Sequence, residues 1–294
     1  MSSSLIGQEQ PAWLQVNPED VQTRQPKVGY QFNTEASYVA GSTVKQGEAN
    51  FGDLEEIQAR ASLITTLPMS DTLSGRVGLN WERYSFGVPA GAILPNTLQS
   101  INLNLGVDMN IGEKWLMRIE VTPGIYSDFA DDIDFRDLNA PLQLGFSYLV
   151  DSNLQWVFGL RANFRSFLPV LPGAGVRWQF ADDWTLNAIF PQPRLEYRID
   201  NSLTLHLGAE LKGGTYVVRD NFGSSIGQGR LDSAEVDYNE ARAGFGIQFR
   251  PHPAVNLVFN GGYVLSRSWV YHEEDLRINT DPAPFGSVSL IARW

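Results

Sequence analysis

Three histidines are the first side chains able to do acid–base chemistry in this 294-residue chain. His206 has Glu210 two same-face steps further along an alternating stretch. His252 lies in a turn between Pro251 and Pro253, and His272 adjoins Glu273, Glu274 and Asp275. Nucleophilic catalysis needs a base within hydrogen-bond reach of the nucleophile. With no cysteine there is no thiol and no disulfide; no His-Glu-x-x-His motif occurs, and no nucleophile elbow is assigned. No catalytic residue is named, and the chain is expected not to be an enzyme.

Oxygen chemistry is the second candidate. Asp128, Asp131, Asp132, Asp134 and Asp137 crowd one short segment, with Glu273 to Asp275 in another. Hard cations take such ligands, but the spacing misses the calcium-loop pattern. The segment reads as a solvated acidic loop; no metal and no cofactor are assigned. A net charge of −11 argues against nucleic acid as a partner, which calls for a basic patch.

The third candidate is a set of charges regularly interleaved with apolar residues: Arg60, Arg76, Glu82, Asp108, Arg118, Glu120, Arg161, Arg177, Glu210, Glu240 and Arg242, with Glu56, Arg165, Arg194, Glu196, Arg198, Lys212 and Arg293 beside them. They are what the surrounding elements must position. Ile101, Leu103, Leu105, Val107, Met109 and Ile111 alternate with Asn102, Asn104, Gly106, Asp108 and Asn110. Leu203 to Leu211 and Ala241 to Phe249 repeat the pattern. Period two is the signature of a strand with one apolar and one polar face.

Several of these segments keep alternating for about ten residues or more, twice the usual strand of about 5–6 and near the roughly 9–11 that cross a bilayer at a tilt. No run of about 18 apolar residues exists for a transmembrane helix, and mean hydropathy is −0.19. A barrel spans lipid at that value, because only alternate residues need be apolar. The fold class expected is therefore all-β: a closed antiparallel up-and-down transmembrane barrel over 27–294. The charged set then lines its lumen, since a charge facing lipid at midplane costs about 2–4 kcal/mol.

Tight polar turns fall at 68–72, 112–114, 151–153, 181–183, 200–202 and 251–254. Longer Gly-, Ser- and Asp-rich segments fall around 40–52, 87–96, 127–140, 219–236 and 270–283. Short turns on the periplasmic side and long loops outside are the pattern of such barrels. The count is about fourteen strands, or twelve if 184–190 and 194–199 are only a partial hairpin. Those two segments offer roughly 20 Å of strand against a hydrocarbon slab of about 30 Å. Pro191 and Pro193 cannot complete a ladder, so a low wall is expected there, covered by a loop, a thinned membrane or a partner. Trp115, Trp156, Trp178, Phe180, Trp184 and Phe249 near the short turns, and Tyr38, Trp81, Tyr84, Phe86 and Trp269 near the long loops, read as two aromatic girdles.

The chain ends Ser287-Val-Ser-Leu-Ile-Ala-Arg-Trp294, with apolar residues at 288, 290 and 292 leading to a terminal aromatic. This resembles the last strand of bacterial outer-membrane proteins. That resemblance implies an outer-membrane location, lipid as a partner, and Trp294 as the signal read by the barrel assembly machinery. Length and turn asymmetry look like small monomeric porin-type barrels; the 182–198 stretch looks like uncharacterised outer-membrane barrel families. The function expected is a porin-like channel for passive diffusion of small polar solutes or ions. A non-conducting anchoring barrel acting through its loops or an unknown envelope partner is the alternative, and a lateral transporter of hydrophobic substrates the third reading. Residues 1–26 lack alternation and a signal-peptide pattern. They are expected to be a flexible periplasmic segment, with a lumen plug as the alternative.

Overall fold

Strand after strand begins where a short turn hands over to an apolar residue. A computed structural model describes residues 28–294; the N-terminal segment 1–26 lies outside them. The strands are β1 (Gly29–Gln46), β2 (Ala49–Pro68), β3 (Leu73–Phe86), β4 (Thr97–Ile111), β5 (Trp115–Val121), β6 (Gly124–Ser127), β7 (Leu138–Asn139), β8 (Leu142–Leu149) and β9 (Leu154–Ala162). There follow β10 (Val170–Ala181), β11 (Trp184–Ile189), β12 (Arg194–Arg198), β13 (Leu203–Val217), β14 (Glu235–His252), β15 (Val255–Tyr271), β16 (Leu276–Thr280) and β17 (Ala283–Arg293). Leu73, Trp115, Leu154, Trp184, Leu203 and Val255 all open strands after the six tight turns.

These 17 segments form one sheet. Pro123, Pro141 and Pro282 split β5 from β6, β7 from β8 and β16 from β17, because proline has no N–H for the ladder. Each split pair fills one place in the wall, which makes fourteen places. β1 closes the ring against β17, from Gln31 opposite Arg293 to Val39 opposite Phe285. The barrel is antiparallel and closed, with fourteen strands, as the alternation predicts.

The two faces are inverted relative to a water-soluble protein. On β4, Leu103 is 49% exposed and points outward while neighbouring Asn104 is 1% exposed and points in. Leu79, Leu207, Phe245 and Phe259 continue the exposed apolar surface. Such a belt is stable only against hydrocarbon.

At the long-loop end the ring narrows. Ser127 of β6 pairs in parallel with Val217 of β13, and the Asp128 N–H donates to the Val217 carbonyl at 3.1 Å. These strands lie six places apart around the wall. Their meeting closes a smaller ring from nine strands: β13, β14, β15, β16, β1, β2, β3, β4 and β6. Two glycines permit the bends. A Cβ on Gly124 would stand 2.3 Å from the Ile101 carbonyl, and Gly213 has φ +132 with the Tyr238 carbonyl 2.0 Å from where a Cβ would lie. No larger residue fits either place.

Three expectations need correction. Residues 40–52 are not a long loop: β1 and β2 continue to a turn at Gly47 and Glu48, because Lys45 and Gln46 still pair with Asn50 and Ala49. Tyr84, Phe86 and Trp269 are not girdle residues but buried inside the small ring, since they fall on its inward register. Arg165 is not on a strand; it lies in the connection between β9 and β10.

Candidate functional site

The small ring has no open axis. Tyr84, Phe86, Tyr216, Tyr238, Trp269 and Tyr271 form one buried apolar cluster with Leu54, Leu98 and Val236. The Tyr84 and Tyr238 rings meet at 4.8 Å, and those of Phe86 and Trp269 at 5.1 Å. The connection 87–96 adds Ala92 and Leu94 to the cluster, and 219–234 adds Phe222 and Leu231. Dense edge-on aromatic packing of this kind excludes water.

Below this plug the charged set is largely neutralised. Glu56 accepts from Arg267 Nη1 at 2.9 Å and from the Tyr238 hydroxyl at 2.8 Å. Arg242 binds Glu240 and donates to the Ser37 hydroxyl at 2.7 Å. Arg60 stands 2.6 Å from Glu35, which also binds Lys212. Arg118 grips Asp108 through two bonds at 2.5 and 2.7 Å, with Arg76 3.8 Å from Asp108 and 3.7 Å from Glu120. Arg177 is buried near the short hairpin, opposite Asn187. These pairs fix the lumen wall.

On the other side of the ring the wall is low. The tip of the β11–β12 hairpin reaches only Leu211, whose N–H donates to the Pro191 carbonyl at 3.0 Å. Beyond it β13 runs on to Val217, and β10 continues from Gly175, opposite Ile189, up to Val170. Among the described residues no strand pairs with that stretch of β10 on the hairpin side. Leu211 stands eight residues beyond Leu203 on β13, roughly 20 Å at about 3.3 Å per residue and 40° of tilt. The tip therefore lies within an apolar band of roughly 25 Å. The expected low wall is present.

A cavity of about 520 Å³ occupies this place. Its inner walls include Asn80, Asn102, Tyr84, Tyr126 and Tyr216, and its sideways end includes Leu168, Leu171, Phe190 and Leu211. Of the eleven charges read as lumen-lining, Arg60, Glu82, Glu120, Arg161 and Glu210 border it; Arg76, Asp108, Arg118, Arg177, Glu240 and Arg242 do not. Residues from the lumen and from the outer surface border one space, so the cavity extends from the lumen to the notch.

A strap covers the notch. Residues 163–169 leave β9 and cross to the outside of β13 and β14. Asn163 donates to the Thr215 hydroxyl at 3.2 Å; the Ser166 hydroxyl and the Phe167 N–H donate to Asp237 at 3.2 and 2.7 Å. Thr215 and Asp237 alternate with inward Tyr216 and Tyr238 and so face outward, yet both are buried beneath the strap. Sequence reading missed this element; Pro169 and Pro172, which interrupt the alternation, are the signal that marks it.

The other chemical candidates have structural occupations. Asp128 accepts from the Ala130 and Arg219 N–H groups at 3.2 Å each, and burial pushes its carboxyl up. Asp134 caps Arg136 N–H at 2.6 Å, which holds its carboxyl low. The acidic segment thus ties loops together. His206 Nε2 lies 2.8 Å from Asn260 Oδ1, and Ser287 contacts Asn260, not the histidine. Gly223-Ser-Ser-Ile-Gly227 has the Gly-x-Ser-x-Gly spacing, which the sequence reading did not credit. Its Ser225 ends a single helical turn, Phe222–Ser225, and its hydroxyl donates to the Phe222 carbonyl at 2.7 Å; a nucleophile elbow instead puts the serine on a sharp turn between a strand and the helix that follows. Trp294 pairs its backbone with Tyr30 at 2.9 and 3.1 Å, and the rings stack at 5.9 Å.

The family described as domain of unknown function (DUF6268) matches residues 27–279. No curated protein matches in sequence. Among solved structures, the COG4313 outer membrane channel from Pseudomonas putida F1 is similar with a TM-score of 0.50 and 10% identity, over 95% of this chain and 100% of that one. The Pseudomonas putida toluene transporter TodX gives 0.41 and 11%, over 90% and 89%. The NanC porin gives 0.40 and 10%, over 88% and 98%. At these identities the likeness to the first is one of fold.

Proposed function

The chain belongs to the family described as domain of unknown function (DUF6268), and we propose that it is an outer-membrane channel whose route for small amphipathic molecules runs sideways through the notch. One observation carries this reading: the ring that Ser127 and Val217 close is filled by aromatic side chains, while a cavity lies beside it at the notch. Exposed apolar side chains at the sideways end suit a solute that partitions into lipid, and the amides inside suit one with a polar group. The fold shared with the COG4313 outer membrane channel is consistent with a channel role. A porin-like axial path for polar solutes is less well supported, because the aromatic plug stands in it.

The lumen-spanning ion pairs favour a second reading, a barrel that conducts nothing and acts as an anchor. One experiment separates the two. The chain has no native cysteine, so Leu171→Cys gives a single thiol at the notch. Protein in liposomes should speed entry of benzyl alcohol, and a bulky thiol reagent on Leu171→Cys should stop that gain. Ohmic conductance indifferent to the reagent would restore the axial pore; no flux in any form would leave the anchor.

A further inference from the structure

Among the described residues the cations around the cavity are Arg60, Arg161 and Lys212, and its anions are Glu82, Glu120, Glu210 and Asp237. Nearly all have partners. Arg60 and Lys212 share Glu35, Glu210 lies 3.7 Å from Lys212, Glu120 lies 3.7 Å from Arg76, and Asp237 holds the strap. Glu82 has no cation among the described residues but accepts from the Tyr84 hydroxyl at 3.0 Å and Gln58 at 3.1 Å. Arg161 differs. It stands on β9 between Gln143 of β8 and Leu171 of β10, faces inward, and among the described residues meets no carboxylate. Its Nε is buried with no hydrogen-bond partner.

The Arg161 Nε has given up water and gained no acceptor, which leaves an unmet demand in a guanidinium that borders the cavity. Its planar fork matches a carboxylate's two oxygens. Beside it lie the apolar Leu171 and the Tyr126 and Tyr216 rings, 6.3 Å apart. We propose that this is a ligand site for a small amphipathic monoanion, with one carboxylate on Arg161 and a compact apolar body among Leu171, Tyr126 and Tyr216. The site rests on the lateral-channel reading for its entrance but not for its chemistry. Glu82 does not compete for the role, since neutral donors already hold it and it repels an anionic head.

Three probes of one shape test it: benzoate, benzyl alcohol and benzylamine, titrated into the full chain in detergent micelles. Benzoate should bind about tenfold more tightly than benzyl alcohol, a factor worth about 1.4 kcal/mol. Arg161→Gln should bring benzoate down to the level of the alcohol, and Arg161→Lys should keep part of the preference. Equal binding of benzoate and alcohol by the natural chain would overturn the site, as would a preference that survives Arg161→Gln. Tightest binding of benzylamine would place the charged head on Glu82 and overturn it too. Binding in micelles does not depend on flux. Benzyl alcohol flux without benzoate preference therefore removes only this site, while benzoate preference without flux removes only the channel.

Discussion

The Phe167 N–H donates to the Asp237 carboxylate at 2.7 Å, across the notch and on the outside of the barrel. The bond joins the connection between β9 and β10 to β14, elements that share no strand pairing. Asp237 is thereby the latch of the strap. A hydrogen bond to a charged group is worth about 1.5–3 kcal/mol. Asp237→Ala should therefore speed amide exchange at Phe167 by about ten- to a hundredfold, and trypsin should cut sooner after Arg165. An unchanged exchange rate would mean that packing of Phe167 and Leu168, not the carboxylate, holds the strap.

The face assignment is tested on adjacent residues of β4. Leu105 is exposed on the outer belt, so Leu105→Arg should cost about 2–4 kcal/mol of folding free energy in lipid. Alternation alone suggests that arginine at Asn104 is mild. Burial corrects this: Asn104 is packed inside with its Oδ1 unpartnered, so a long side chain there overfills the lumen. Asn104→Ala is the milder change, at about 1 kcal/mol or less. Equal costs for Leu105→Arg and Asn104→Ala in denaturant titrations would show that the register is wrong.

The Glu56 site predicts a large stability effect remote from the notch. Glu56→Ala leaves Arg267 and Arg242 buried without that carboxylate. Breaking a buried pair in this way costs about 3–5 kcal/mol. The temperature at which the compact, unboiled gel band is lost should fall clearly. An unchanged band would show that water enters the lumen around Arg267.

The loops at the plugged end should depend on pH in two opposite ways. The Arg136 N–H lowers Asp134, and the Ser224 hydroxyl and N–H lower Asp232. A carboxylate depressed by folding contributes stability above its unfolded value of about 3.9 and loses it as pH falls through the folded value. Asp128, raised by burial, takes up its proton before either and favours the folded loop more as pH falls. Protection from amide exchange at Arg136 and Ser224, taken relative to the unstructured chain at the same pH, should fall on acidification below about pH 4, while the segment around Ala130 should not loosen until lower pH. A single common midpoint for all three amides would contradict the assignment.

The sequence by itself determined the barrel. Period-two alternation is local, and it fixes which side chains share a face; six tight turns, each followed by an apolar residue, fix where Leu73, Trp115, Leu154, Trp184, Leu203 and Val255 begin strands. The low wall was legible too, because Pro191 and Pro193 shorten the hairpin without reference to anything distant. What sequence could not supply was contact between strands six places apart in the ring. Alternation marks Tyr84, Phe86 and Trp269 as aromatics near loops but is silent on whether those strand ends lean outward to lipid or inward to one another. Only the tertiary pairing of Ser127 with Val217, made possible by glycines at 124 and 213, turned them into a plug. The same holds for the site. Arg161 reads in sequence like any other interior charge; that Arg60 and Arg242 have carboxylates and Arg161, among the described residues, has none is decided by which side chains meet across the lumen, a matter of distance in space that no local pattern encodes.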